Sequence, residues 1–363
     1  MTAVVAVRVD DTPVLVGDVV LSDRQHRRLD LWSGKVYPLG DNVAMGWSGQ
    51  GILAEQAFRR LRDSLPLGPI STDELHHALD GLSDLRNGQD GLEMLGWIVA
   101  PDGPKVVRWA SHYSPTRLCD AEGAIGSGGD ILRKMYSEPT ASGSNLVGGE
   151  RTVLKAATNF IEARFKETLT PRQWPQTWGV AFDLLIYQGR FLWLPAMTYV
   201  GWDVYVDPND QIERIAQGAV VFKQERVDDC TVMHFKARGE RHHEIRVSTP
   251  VYRTDVDQSA YLGRPFSASS PYYGNWFRIW TTRPTKHFLT IQLVSVGGTA
   301  EGLVRHTGSD DEPAFLVNEA MLVPIVRDEV SRHRTGLRRR ARRASGPKRK
   351  KPKVRKPKGR RRR

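Results

Sequence analysis

A threonine directly follows the initiator methionine, and at this position a free α-amine can lie beside its hydroxyl. A threonine hydroxyl is a weak nucleophile at its own pKa and needs a base beside it. If Met1 is removed, Thr2 carries a free α-amine whose pKa lies near neutrality, so one residue supplies both the nucleophile and the base. Thr2 is therefore a candidate for covalent catalysis, although a threonine after Met1 is also commonplace in chains without such chemistry.

Other chemical constellations in the sequence are weaker. His76–His77 and His242–His243 are adjacent pairs whose side chains diverge on a helix or a strand, and no Cys or carboxylate spacing around them matches a zinc site. The segment Gly49–Gly51 lacks the third glycine of a dinucleotide fingerprint, and the chain has no P-loop. We therefore predict no metal and no cofactor.

The elements that must position Thr2 begin with β-rich runs. Residues 3–21 predict a hairpin around a turn at residues 10–13, and residues 34–49 predict a second strand pair. A helix over residues 52–65 follows. Ser71 and Glu74 have capping-box spacing and predict the start of a second helix.

Strands then return between helices. Residues 94–111 predict a hairpin around Pro101–Gly103. A glycine-rich turn then precedes a third helix near residue 130, and residues 150–166 predict a fourth helix. Residues 178–195 predict a final strand pair. This order predicts an α+β fold in which two sheets lie face to face and helix pairs cover their outer faces. We expect a four-layer αββα sandwich over residues 1–200.

The rest of the chain differs in pattern and in charge. Strand-like runs dominate residues 201–331 and predict a β-rich accessory domain that ends in a helix near Glu319–Arg332. Of the 53 basic side chains, 19 lie in residues 332–363, which contain no acidic residue; the remaining 34 face 41 acidic ones. With almost no apolar residue, the tail 332–363 is predicted to be disordered, and its charge suits nucleic acid or another polyanion, or merely solubility.

No run of about 18 apolar residues exists, and the N-terminus lacks the pattern of an export signal. The two cysteines, Cys119 and Cys230, lie far apart and fit a reducing compartment. We expect a cytoplasmic protein without a membrane span.

Several segments of the first 195 residues resemble the proteasome β-subunits and their simpler bacterial relatives. The segments, in order, are Met1-Thr2 with AVVAVR, VLVGD, GKVYPL, MGWSGQG, AIGSGG and FDLLIY. The resemblance implies an N-terminal-nucleophile hydrolase domain that cleaves peptide bonds through an acyl-enzyme at Thr2.

The resemblance also implies roles for individual residues. Lys35 would lie beside Thr2, and Asp18 would pair with and orient that lysine. The side chains of Ser127 and Asp183 would complete the polar cluster, and the backbone N–H of Gly49 would face the oxyanion. All five residues also have structural uses, such as a strand end, a turn, a helix N-cap or a buried partnered carboxylate.

Relatives of this type assemble into stacked rings fed by a separate ATPase, so the resemblance implies a homo-oligomeric ring, a peptide or protein substrate and an ATPase partner. The appended β-rich domain and the charged segment between Asp18 and Lys35 depart from the family pattern. Two alternatives therefore stay open. One is a catalytically silent scaffold or binding protein with a polyanion-binding tail, and the other is an amidase acting on a small molecule.

Overall fold

A computed structural model of the chain describes fourteen segments. They are residues 2–22, 28–32, 34–86, 91–112, 116–137, 182–193, 196–209, 211–227, 230–237, 243–247, 272–281, 288–296, 304–307 and 315–344.

The first sheet contains the N-terminus. Its five strands lie in the order β10-β1-β2-β11-β12. They are β1 (Val4–Val9), β2 (Thr12–Asp18), β10 (Gly123–Ile125), β11 (Phe182–Tyr187) and β12 (Phe191–Trp193). The predicted N-terminal hairpin is confirmed, with its two-residue turn at Asp10 and Asp11. All pairs in this sheet are antiparallel, and β2 lies at its centre between β1 and β11.

The second sheet is also five-stranded and antiparallel. It runs in simple sequence order from β5 to β9. Its strands are β5 (Val36–Pro38), β6 (Val43–Gly49), β7 (Leu92–Ala100), β8 (Gly103–Ala110) and β9 (Arg117–Cys119). The hairpin predicted around Pro101–Gly103 is present as β7–β8.

The two sheets pack face to face. Alternate residues of β1 and β2, such as Val4, Ala6 and Leu15, contact Leu95 and Trp97 of β7 in one buried apolar cluster. Alternation of this kind is what the period of a strand demands when one face is buried. The cluster places the start of β1 and the end of β2 against the second sheet, next to β5 and β6.

Two helices cover the outer face of the second sheet: α1 (Gly51–Ser64) and α2 (Thr72–Asp80), followed by a 3₁₀ turn at Ser83–Arg86. The Glu74 N–H donates to Ser71 Oγ and the Ser71 N–H donates to the Glu74 carboxylate, so the predicted capping box is confirmed. Apolar residues of both helices, including Phe58, Leu61 and Leu75, pack against the sheet.

A third helix, α3 (Gly129–Ser137), begins directly after β10 and packs against β1 and β10 of the first sheet. The described residues up to 193 thus form a mixed α/β arrangement of two five-stranded sheets with helices packed against them. The helix predicted over residues 150–166 lies outside the described residues.

A third large sheet follows, with six strands in the order β16-β15-β14-β13-β17-β18. They are β13 (Met197–Val206), β14 (Ile212–Val227), β15 (Cys230–Ala237), β16 (His243–Val247), β17 (Tyr272–Thr281) and β18 (Phe288–Val296). We call it the accessory sheet. The predicted domain boundary after residue 200 falls within β13, so the regular structure of the accessory region starts at Met197.

The chain ends, within the described residues, in a long helix, α4 (Glu319–Ala344). Leu322, Val326 and Val330 recur at intervals of four and pack on alternate residues of β13. Two small hairpins also occur, formed by β3 (Val20–Ser22) with β4 (Arg28–Trp32), and by β19 (Val304–His306) with β20 (Phe315–Val317).

Helix α4 corrects the prediction that disorder begins at residue 332. Residues 332–344 continue the helix, while residues 345–363 lie outside the described part. Arg and Ala rank among the best helix formers, and extending a helix already fixed by packing avoids the cost of nucleation. Acidic Glu319 in the first turn also complements the helix dipole.

Candidate active site

The centre of the candidate site is a buried ion pair. Lys35 Nζ lies 2.8 Å from Asp18 Oδ1, and both side chains are completely inaccessible to solvent. Asp18 is the last residue of β2, and Lys35 directly precedes β5. The pair therefore joins the two sheets at the edge of their shared core.

Asp18 also holds the start of the chain. The Ala3 N–H donates to Asp18 Oδ1 at 2.9 Å, and the Asp18 N–H donates to the Ala3 carbonyl at 3.0 Å. One carboxylate oxygen thus accepts from both the Lys35 ammonium and the backbone next to Thr2. This arrangement fixes residue 2 in relation to the lysine.

A glycine-rich turn holds Thr2 from the other side. The Gly128 N–H donates to the Thr2 carbonyl at 3.1 Å. Gly126 has φ +80°, and a Cβ on it would lie 2.2 Å from the same carbonyl oxygen. Only glycine allows this approach, so the turn between β10 and α3 is shaped to receive Thr2. Thr2 is itself buried, with 8% of its surface exposed.

The backbone around Lys35 is equally constrained. The Gly34 carbonyl accepts from Trp47 Nε1 at 3.2 Å and from the Tyr37 hydroxyl. The Trp47 N–H donates to the Lys35 carbonyl at 2.9 Å. These bonds anchor the lysine to β6, so that its position does not depend on the ion pair alone.

A second carboxylate, Asp183, faces the same segment. It lies in β11 opposite Gly17 and is 2% exposed. A Cβ on Gly34 would lie 3.0 Å from Asp183 Oδ2, which shows how closely the carboxylate approaches the residue before Lys35. The Thr231 hydroxyl, from β15 of the accessory sheet, donates to Asp183 Oδ1.

The electrostatics of the cluster follow from these contacts. Burial lowers the pKa of Lys35 below its ordinary value of 10.5, while the Asp18 carboxylate, by charge and hydrogen bond, and the Asp183 charge oppose that shift. A lysine whose pKa is lowered in this way sits closer to the range in which it can influence, or exchange, a proton during catalysis.

The other two predicted residues lie in the segments that border Thr2. Ser127 belongs to the turn that binds the Thr2 carbonyl through Gly128, and its own side chain is exposed. Gly49 ends β6 with φ +112°, where a Cβ would lie 2.0 Å from the Gly91 carbonyl oxygen. The close approach to Gly91 is thus one reason for a glycine here, whatever role its N–H has.

Two polar residues at the site have no counterpart in the sequence-based prediction. Ser48 Oγ lies 3.1 Å from where a Cβ of Gly126 would be, which places it beside the turn that holds Thr2. Thr231 is 48 positions from Asp183 and comes from a region without a recognisable motif. Ser48 stands inside MGWSGQG and could have been considered; Thr231 offers no sequence signal.

Within the described residues, no group of three or more His, Cys, Asp or Glu side chains is arranged to hold a metal ion. Nor does any described helix combine the length and apolar character required to cross a membrane.

Comparison with known proteins gives a limited result. No protein-family model matches the chain, and no curated protein matches it. Among solved structures, the chain is similar to eukaryotic HslV from Trypanosoma brucei, with 16% sequence identity and a TM-score of 0.36 over 51% of this chain and 98% of that chain. Identity and TM-score at this level assign no activity, so the functional assignment depends on the side-chain geometry.

Proposed function

We propose that residues 1–200 form a threonine-type hydrolase of the proteasome β-subunit kind, with Thr2 as nucleophile after removal of Met1. The observation that carries the proposal is the fully buried Lys35–Asp18 pair whose carboxylate also binds the Ala3 N–H. Moving each charge out of water costs on the order of several kcal/mol, before the attraction between the two charges is counted. A gain in stability is therefore a poor explanation for this pair. Its placement against residue 2 supports a catalytic use.

In the proposed reaction, the Thr2 hydroxyl attacks a peptide carbonyl and its proton passes to the α-amine of the same residue. The tetrahedral intermediate collapses to an acyl-enzyme as the amine leaving group takes up that proton. Water then attacks the ester, and the α-amine again takes and returns the proton. The Gly49 N–H is proposed to face the oxyanion in both steps.

Lys35 is proposed to set the proton affinity of the α-amine. A nearby ammonium disfavours a second positive charge, which keeps the amine in the neutral form that can accept a proton. Asp18 and Asp183 favour the charged form of Lys35 against the effect of burial. Ser127, in the turn that holds Thr2, is proposed to complete the polar environment of the amine.

The wider biology remains part of the proposal. A peptide or protein substrate, a homo-oligomeric ring, a separate ATPase partner and a cytoplasmic location come from the resemblance and the composition of the chain. The division into a hydrolase unit to residue 200 and an accessory region to residue 331 is likewise proposed. Strand β13 crosses the first of these boundaries.

The decisive experiment is an intact-mass measurement before and after treatment with a peptide epoxyketone, which requires both the hydroxyl and the free amine of an N-terminal threonine. Loss of Met1 and one adduct are expected for the wild type, and no adduct for Thr2→Ala. Thr2→Ser is the matched control, because it keeps both reacting groups. A protein that has lost Met1 and still forms no adduct would favour the silent scaffold.

Helix α4 supports a second candidate function, polyanion binding. Seven arginines fall within residues 332–344, and the helix continues through them. We propose that this end of the helix, with the tail that follows, binds nucleic acid or another polyanion by neutralising phosphates.

Fluorescence anisotropy with a labelled DNA duplex tests this second proposal in the full chain. Affinity should fall steeply between about 50 and about 200 mM salt. The triple variant Arg338→Gln, Arg339→Gln and Arg340→Gln should bind more weakly. Replacing the exposed Arg59, Arg60 and Arg62 of α1 by Gln is the charge-matched control. Equal loss in both triple variants would mean that only net charge matters.

A further inference from the structure

The accessory sheet meets the first sheet at the candidate site. The Thr231 hydroxyl donates to Asp183 Oδ1, and Gln224 Nε2 donates to the Phe182 carbonyl. Thr231 and Gln224 are buried, with 3% and 6% of their surfaces exposed. Both come from the β14–β15 hairpin, so one structural unit makes both contacts.

The positions contacted are next to the proposed catalytic pair. Phe182 stands opposite Asp18 in the β2–β11 register, and Asp183 stands opposite Gly17. The hairpin therefore binds the strand that lies directly beside Asp18. A contact made only for packing would need no hydroxyl donating to a carboxylate that approaches the residue before Lys35.

We propose that Thr231 is a positioning residue of the hydrolase site, holding the Asp183 carboxylate in place beside Lys35. The proposal rests on the proposed function of Thr2 and extends it. The accessory sheet then completes the site, because it supplies a group that the first 200 residues lack.

The charges around Lys35 determine how loss of the Thr231 hydroxyl affects the pKa of this lysine. Lys35 is faced by Asp18 from β2 and by Asp183 from β11. The proposed function adds the α-amine of Thr2 after Met1 removal. On the accessory side, Lys223 and Glu225 flank Gln224 and form their own ion pair at 3.0 Å. Without the Thr231 hydroxyl, Asp183 loses one donor that holds its carboxylate in place, and a change in its position alters the charge that favours the ammonium form of Lys35.

The first test compares Thr231→Val, which removes the hydroxyl and keeps the shape, with Thr231→Ser, which keeps the hydroxyl. The rate constant for epoxyketone adduct formation is measured across pH. Since a hydrogen bond to a charged group is worth enough to change a rate by about tenfold, we expect Thr231→Val to react about tenfold more slowly and with a shifted pH profile. Thr231→Ser should restore both. Identical pH profiles in all three proteins would overturn the proposal.

A second measurement does not depend on turnover. NMR of the full chain labelled with [ε-¹³C]lysine follows the titration of Lys35, assigned through Lys35→Arg. We expect a lower Lys35 pKa in Thr231→Val than in the wild type or Thr231→Ser. Thr231→Ala replaces the valine variant if that protein fails to fold.

The two measurements separate the two ideas. A wild type that forms no adduct contradicts the proposed function, and the lysine titration still decides the role of Thr231. In an Asp183→Asn background, Thr231→Val should leave the Lys35 titration unchanged, because the carboxylate through which it acts is gone. An additional shift in that background would contradict the positioning role.

Discussion

Two Lys–Asp ion pairs among the described residues have the same chemistry but differ in burial and in the direction of the lysine pKa shift. Lys35 and Asp18 pair beside Thr2 with both side chains fully buried, whereas Lys105 and Asp102 pair in the β7–β8 hairpin with 29% and 63% of their side chains exposed. Burial lowers the pKa of Lys35, while the hydrogen bond to Asp102 raises the pKa of Lys105. The environment, rather than the partner, decides the direction of the shift.

The two pairs also differ in what they contribute to stability. An exposed pair costs little to form and contributes little. A buried pair is expensive to desolvate and often no better for stability than apolar residues of similar size. The buried pair lies where its carboxylate also holds the backbone next to Thr2, which is why its catalytic use is proposed above.

Removing one lysine at a time should give the largest contrast. Lys35→Met leaves the Asp18 charge buried without its partner, which should cost about 3 to 5 kcal/mol. For a unit of this size that is a fall in Tm of roughly 6 to 20 °C. Lys105→Met should leave Tm unchanged within error, and only Lys35→Met should lose epoxyketone labelling. Equal falls in Tm would show that the two sites do not differ in this way.

Removing both charges of the buried pair separates stability from chemistry. In Lys35→Met with Asp18→Asn, the Asp18 charge is removed together with the lysine that paired with it, and the Asn carbonyl can still accept from the Ala3 N–H. We expect thermal unfolding to show at least half of the lost Tm regained, while epoxyketone labelling stays absent. Regained labelling in the double variant would remove Lys35 from the mechanism.

Local sequence patterns predicted the parts of the fold that depend on local physics. The capping box at Ser71 and Glu74 and the hairpin at residues 101–103 are confirmed because each is determined by a few neighbouring residues. The end of α4 differs from the prediction: the Arg-rich composition favours disorder, but packing of Leu322 and Val326 fixes a helix that residues 332–344 extend.

The residues of the candidate site also differ in whether the sequence predicts them. Asp18 and Lys35 are expected as partners only through the resemblance, because nothing in their spacing requires contact, and their catalytic roles stay a prediction. Ser127 and Gly49 lie in the segments expected for them, with their roles also untested. Thr231 could not be found from sequence, since its contact with Asp183 depends on how a whole sheet docks.

The turn that holds Thr2 allows a smaller perturbation. Gly126 and Gly189 have φ +80° and +78°, but only a Cβ on Gly126 would meet the Thr2 carbonyl; one on Gly189 meets nothing within 4 Å. Ala at either position should cost about 1 to 2 kcal/mol of backbone strain. Denaturant unfolding should show this cost in both variants, and mass spectrometry should show lost epoxyketone labelling only in Gly126→Ala. Normal labelling of Gly126→Ala would mean that Thr2 tolerates displacement.

The pH dependence of stability should show the smallest effect, with opposite signs at the two lysines. The folded-state pKa of Lys35 is lowered, so between that value and 10.5 the unfolded chain binds more protons at this position, and the contribution of Lys35 to stability rises with pH. For one such group, the free energy of unfolding changes by at most about 1.4 kcal/mol per pH unit. For Lys105 the pKa is raised, so its contribution is complete below 10.5 and is lost as pH rises through the folded-state value.

Urea unfolding of the wild type, Lys35→Met and Lys105→Met from neutral to alkaline pH measures these contributions together with those of the carboxylates coupled to each lysine, because titration of uncoupled groups cancels in each difference from wild type. The difference should increase with pH for Lys35 and decrease for Lys105. Slopes of the same sign would mean that Asp18 and Asp183 outweigh burial at Lys35, so that the lysine beside Thr2 stays charged throughout and acts as a fixed charge.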